Sequence, residues 1–340
     1  MRVFLGFTAL LLLPNLAAPA TPPFQPLPEE QKLCLREAFH LAQLLGPVVW
    51  PSFDGHDVPV LLIMGETEYL LNRNEAPSGF IAVQGDQFKQ RPVFARPRVF
   101  PPNLQASFPA IGTETVVVGT AEQSGLSPAA WVLIVTHEFF HVFQAAHGLN
   151  AKIMALAIGA PEDSDWHLNF PFPYDDADVS TALHLLGDAL YRAVAKGEPN
   201  LSPAKTAQEA LSNLIRVLEL TTNDPRHANY LRYQTGKEGV ARYVEYRLAE
   251  RASHSDYQPL PEFTTLPGVK PYAAVWNESY ASQLEQLWDV GRVNRKRVDF
   301  YCLGQGLALL LDRFDARWKS RYFEPGVWLD DLMKGAVSGR

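Results

Sequence analysis

Cysteine is scarce in this sequence. Cys34 and Cys302 are the only two, so a framework of several disulfides is excluded and one bridge at most can form. Long runs of one charge are missing too. Thirty Lys and Arg stand against 37 Asp and Glu, for a net charge of −7, with no basic cluster of the kind that tracks a nucleic acid. No apolar stretch reaches the roughly 20 residues that a membrane-spanning helix requires, and no internal repeat or low-complexity tract is evident. What is present is 47% hydrophobic and 20% charged over 340 residues. That composition fits a globular protein with one large or two medium cores.

The first 20 residues read as an export signal. Arg2 gives a positive start, residues 3–13 are apolar, and Ala18-Pro19-Ala20 ends in an A-x-A pattern. Cleavage is expected after Ala20, or alternatively after Ala18, leaving an exported periplasmic or extracellular protein without a stable membrane anchor. An oxidising compartment permits a bridge between Cys34 and Cys302. Both lie in apolar surroundings where a free cysteine also packs well, so the sequence leaves both states open.

Residues 21–126 read as a lead-in, one helix and a small sheet. The helix starts at Glu29 and ends at Gly46-Pro47. Short β-rich runs follow at 58–64, 79–83, 93–98 and 115–119, separated by Pro, Gly, Asn and Asp. Residues 127–340 then read as mostly helical, opening on Ser127-Pro128, an N-cap followed by a first-turn proline. Further helices are expected at 182–195, 206–220, 238–251, 281–288 and 304–314, with a long loop at 159–178.

The helix that Ser127 opens contains His137-Glu138-Phe139-Phe140-His141, an H-E-x-x-H pattern inside an uncharged, largely apolar run. On a helix the two histidines fall one turn apart on one face, where both can hold one Zn²⁺ while Glu138 reaches a water on the metal. The apolar flanks suit a helix buried in a protein interior. A catalytic zinc site needs a third protein ligand. One candidate is His147, at the spacing of the pattern H-E-x-x-H-x-x-G-x-x-H, which needs a chain reversal where this sequence has Gln144. If the helix continues instead, His147 lies about 240° round the axis from His141. The other is Glu238, in Glu238-Gly239-Val240-Ala241-Arg242-Tyr243-Val244-Glu245, where Gly239 would let this helix approach the metal helix closely. Glu245, two turns on, can accept an N–H from a liganding histidine.

H-E-x-x-H followed by E-G-x-A-x-Y-x-E resembles the gluzincin clan of zinc peptidases, which includes thermolysin and the aminopeptidase N type. The resemblance implies that Glu238 is the third ligand beside His137 and His141, and that Glu138 is the general base. Tyr301-Cys302-Leu303-Gly304 is similar to the Y-x-x-G segment of aminopeptidase-type members, which implies that Tyr301 donates a hydrogen bond to the developing oxyanion. Tyr230, Tyr233, His227 and His254 are further candidates for that donor. By the same resemblance Thr115–Gly119 is the edge strand lining the substrate cleft. The chain departs from the clan in two respects: the stretch between His141 and Glu238 is far longer than in its best-known members, and the G-x-M-E-N motif that grips a free N-terminus is absent. The expectation is therefore an α+β, zincin-like fold, with an N-terminal sheet lobe on the H-E-x-x-H helix and a helical lobe supplying Glu238 and Tyr301. The expected activity is hydrolysis of a peptide or protein substrate through Zn²⁺. Two rivals keep the scaffold: a non-catalytic peptide- or partner-binding protein, and a zinc hydrolase of a non-peptide amide.

Overall fold

A computed structural model describes residues 24–159, 166–197, 201–254 and 256–338. The expected export signal and its cleavage point lie outside these residues. Helix α1 (Glu29–Val49) opens with Glu29 and Glu30 in its first turn, where negative charge favours a helix N-terminus. It passes through Pro47, beyond the expected stop, since a proline in a last turn forfeits only one backbone bond.

The sheet follows: β1 (Val60–Met64), β2 (Thr67–Leu71), β3 (Ile81–Phe88), β4 (Arg91–Pro97), β5 (Gln105–Phe108) and β6 (Thr115–Gly119). Its order is β3-β4-β2-β1-β6-β5. Only β1 and β6 run parallel, with Leu62 opposite Val118, and the other neighbours are antiparallel. Strands β2 and β5 add to the four expected. The sequence hides β2 because a charged Glu68 interrupts it. That side chain is fully buried, accepting from Arg96 Nε and from the backbone N–H groups of Val99 and Phe100, each at 2.7 Å. One position also needs correction: Thr115–Gly119 is internal, hydrogen-bonded on both sides, and the sheet's edges are β3 and β5.

Side chains alternate across the sheet. Val60, Leu62, Tyr69, Leu71, Val116 and Val118 face the main core, while Leu61, Ile63, Leu70, Phe94 and Val117 face a small second cluster capped by Phe100, Leu104 and Phe108. Helix α2 (Pro128–Ala146) begins as expected, with Ser127 Oγ accepting from Ala130 N at 3.3 Å. Trp131 Nε1 donates to Gly119 O at 2.8 Å, tying the helix to the end of β6.

The remainder is helical: α3 (Leu149–Met154), α4 (Trp166–Asn169), α5 (Ala177–Lys196), α6 (Ser202–Thr222), α7 (Pro225–Gln234), a π-helical turn (Thr235–Gly239), α8 (Val240–Ala252), α9 (Pro261–Thr264), α10 (Tyr272–Asp289), α11 (Asp299–Phe314), α12 (Trp318–Arg321) and α13 (Leu329–Ser338). The fold is thus α+β, a six-stranded sheet with a mostly helical remainder. The long stretch between the two motifs is folded: α5 and α6 pack on each other, α5 packs on α10 and α11, and α6 packs on α13. The helix expected at 238–251 starts earlier, at Pro225, capped by Asp224. One apolar core runs from Leu27 to Ala336 through the sheet's inner face and the helices.

Cys34 and Cys302 are free and buried, and burial pushes both thiols up to about 12. Among the described residues no helix is long and apolar enough to cross a membrane.

Candidate metal centre

Helix α2 presents two kinds of surface. Phe139 and Phe140 enter an aromatic cluster, 4.7 Å from Phe39 and 5.0 Å from Trp50 between ring centroids. His137 and His141, one turn apart with ring centroids at 4.7 Å, face α8 and the π-turn instead.

Both imidazoles are fixed from behind. His137 Nδ1 lies 3.1 Å from Glu245 Oε2, and His141 Nδ1 lies 2.7 Å from Gln144 Oε1. An acceptor at Nδ1 holds the hydrogen there and leaves a lone pair on Nε2. Glu238 Oε2 faces both lone pairs, 3.2 Å from His141 Nε2 and 4.0 Å from His137 Nε2. Three electron-rich atoms that close repel one another unless a proton or a cation lies among them. Donors about 2.0–2.2 Å from a zinc ion stand roughly 3.3 Å apart at tetrahedral angles. The donor set therefore suits zinc. His137, Glu138 and His141 also bring one ligand atom each within 4.8 Å of one another, but the carboxylate oxygen within 4.0 Å of both rings is that of Glu238. Glu238 is the better third donor.

The charges agree with this geometry. Burial opposes ionisation of Glu238, but His141, Lys237 and His137 outweigh it and hold the carboxyl well below its ordinary range. Glu245 is likewise buried, and Arg242 and His137 hold it low. Arg242 lies 2.9 Å from both Glu245 oxygens. For His137 burial opposes the charged form, while Glu245 and the other carboxylates raise its pKa.

A π-turn sets the position of Glu238. Such turns free a backbone carbonyl from the α-helical pattern and recur at functional sites. Here the Tyr322 hydroxyl donates to Gly236 O at 2.5 Å and Gln144 Nε2 donates to Lys237 O at 3.0 Å. Gly239 was expected to admit α2. It instead admits α11: a Cβ on Gly239 would meet the Gly304 Cα at 2.5 Å, and one on Gly304 would meet Thr235 O at 2.3 Å. Two facing glycines thus bring the Tyr301 helix against the Glu238 turn.

Glu138 is buried, and its Oε2 has no hydrogen-bond partner among the described residues. A carboxylate oxygen left so costs free energy unless a further group uses it. Tyr301 sits on α11, where its hydroxyl accepts from Arg297 NH1 at 3.0 Å. Burial, then the charge of Glu238, pushes this phenol upward and keeps it protonated. His147 lies elsewhere. Helix α2 continues past Gln144, and His147 is exposed at its end, Nδ1 2.8 Å from Phe143 O and its ring 3.9 Å from that of Phe143. Of the other donor candidates, Tyr233 is buried near Lys237 and Glu238, whereas the Tyr230 hydroxyl donates to His167 O at 2.8 Å. His227 lies at the start of α7, 4.0 Å from Asp224, and His254 is exposed beyond α8.

Gln144, Lys237, Arg242, Arg297 and Tyr322 were not singled out from sequence. Gln144, three residues after His141, and Lys237, beside Glu238, carried a positional signal. Tyr322 carried none, since only tertiary packing brings it to Gly236. Two surface hollows among the described residues are lined by none of the groups that face the histidines. One of about 620 Å³ is walled by Arg317, Ser320, Arg321 and Gly335, and another of about 440 Å³ includes Trp166, Phe170 and Arg226. Volume alone supplies no chemistry, so the converging donors mark the centre. Comparison with protein-family models, curated proteins and solved structures finds no match for the chain.

Proposed function

We propose that this chain is an exported, zinc-dependent hydrolase of peptide bonds on a zincin-like scaffold of the gluzincin type. One observation carries the reading: His137 Nε2, His141 Nε2 and Glu238 Oε2 converge, and a carboxylate oxygen of the buried Glu138 lies within 4.8 Å of a ring nitrogen of each histidine. His137, His141 and Glu238 would hold the metal. Bound there, zinc supplies Lewis acidity toward a carbonyl and makes water a stronger acid.

The chain's own groups do the rest. Glu138 accepts the proton of the attacking water at its free Oε2 and passes it to the leaving amine. Tyr301, oriented by Arg297, donates its hydroxyl hydrogen to the carbonyl oxygen as charge grows there. Glu245 and Gln144 keep the imidazoles in one tautomer and one orientation. The unpaired edge of β5, which packs beside α2, offers backbone groups to an extended peptide. Turnover rather than passive binding is favoured by Glu138, since a pure binder has no use for an unpartnered buried carboxylate oxygen. The test is cleavage of a mixed peptide library by purified protein with and without a chelator. Cleavage that the chelator abolishes and zinc restores supports the reading, and zinc-loaded protein that cleaves no peptide overturns it.

A further inference from the structure

Helices α8, α10 and α11 pack on one another and leave a narrow crevice of about 10 Å³ beside Glu245. Its wall is mostly polar, with Arg242 and Glu245 from α8, Ser279, Ser282 and Gln283 from α10, and Gln305 from α11. Gln305 is only 2% exposed, and its Nε2 has no hydrogen-bond partner among the described residues. The other buried amide in the wall is engaged, since Gln283 Nε2 donates to Cys302 O at 3.0 Å. Arg242 NH1 lies 2.9 Å from both oxygens of Glu245. Of those two oxygens, Oε2 also meets His137 Nδ1 at 3.1 Å. Oε1 therefore keeps a lone-pair direction for a further donor.

A buried amide donor without an acceptor destabilises a fold, and native proteins satisfy nearly all such groups. The wall decides what can satisfy this one. A cation would meet Arg242 and the amide hydrogens of Gln305, and an anion would meet Glu245. A neutral molecule that both accepts and donates suits all three. About 10 Å³ is the space that one water needs, and it admits no organic ligand. We infer that the crevice binds one ordered water, which accepts from Gln305 Nε2 and donates to Glu245 Oε1, and that Gln305 is thereby a positioning residue for His137. The carboxylate is then held by Arg242 and by the water together, which fixes the oxygen that orients the His137 ring. The effect on a metal rests on the function proposed above, while the water site stands on the crevice alone.

The test uses the full chain, as wild type and as Gln305→Met, which keeps the length of the side chain and removes the amide. In a high-resolution crystal structure of the metal-free protein, wild type should show a water within about 3.2 Å of both Gln305 Nε2 and Glu245 Oε1. Gln305→Met should lack it, and its urea midpoint should fall because a satisfied group is lost. Removing an orphaned donor would raise the midpoint instead. Zinc affinity should fall by about three- to tenfold, less than for a partner that touches the ring itself. The visible bands of the cobalt(II)-loaded protein should shift as well, which a loss of stability alone would not produce. A wild-type crevice without water, or a midpoint that rises in Gln305→Met, overturns the site. Water in place with zinc affinity and cobalt spectrum unchanged in Gln305→Met overturns the positioning role. If the protein binds no zinc, the hydrolytic reading falls on its own and the two crystal structures still decide. A His137 ring displaced in Gln305→Met then supports the inference, and one left unmoved overturns it.

Discussion

The Gln144 amide oxygen lies 2.7 Å from His141 Nδ1, and the nitrogen of the same amide donates to Lys237 O, the carbonyl just before Glu238. One side chain therefore orients a proposed ligand on α2 and grips the turn that presents another. Gln144→Leu should leave the fold in place but weaken zinc binding by roughly 10–100-fold, the usual cost of losing a ligand's orienting partner. Zinc titration against a competing chelator measures this. An unchanged affinity would remove Gln144 from the account.

Glu138 is the residue through which the proposed chemistry passes. Glu138→Gln keeps the shape and loses the ability to accept a proton, so zinc content should stay near one per chain while kcat/KM falls by about 10²–10⁴-fold. Turnover within about tenfold of wild type would place the general base elsewhere.

Close contact between the π-turn and α11 depends on Gly239 and Gly304. Gly239→Ala puts a methyl 2.5 Å from the Gly304 Cα, a backbone atom that cannot rotate away. Separating the two elements should cost about 1–3 kcal/mol, the range for overpacking, and shift Glu238 and Tyr301 apart. Urea denaturation checks the first effect and zinc affinity the second. A midpoint equal to wild type would mean that the helices yield freely.

Asp299, at the start of α11, supplies a pH signature. Burial, against the help of Arg295, pushes its carboxyl up to about 6. The folded state thus binds this proton more tightly than the unfolded chain, where an aspartate titrates near 3.9. Its contribution to stability is fully present below about pH 4 and is lost as pH rises through about 6. Asp299→Asn should remove that part of the decline, seen as a flatter denaturation midpoint across this window. Superimposable pH profiles for the two proteins would contradict it.

Legibility in the sequence followed how locally each feature is determined. Ser127-Pro128 and the apolar flanks of His137 and His141 act within a few residues, and α2 starts where they place it. Helix continuation past Gln144 was also local, because glutamine is a good helix former and lacks the freedom of glycine. Strand order was not local. Thr115–Gly119 reads as a strand from its valines, yet only β5, which the sequence did not reveal, makes it internal. The π-turn was hidden for the same reason: Tyr322 and Gln144 hold its carbonyls from afar in the chain. Gly239 was legible as a point of close approach, but its partner, Gly304, was not.

The central claim is that His137, His141 and Glu238 hold one zinc ion. Zinc titration of wild type, Glu238→Ala and His147→Ala tests it directly. The account predicts about one Zn²⁺ per wild-type chain and near-wild-type binding for His147→Ala. It also predicts a loss in Glu238→Ala larger than the roughly 10–100-fold that removing an orienting partner costs. Full zinc affinity in Glu238→Ala, with affinity lost in His147→Ala, would contradict it.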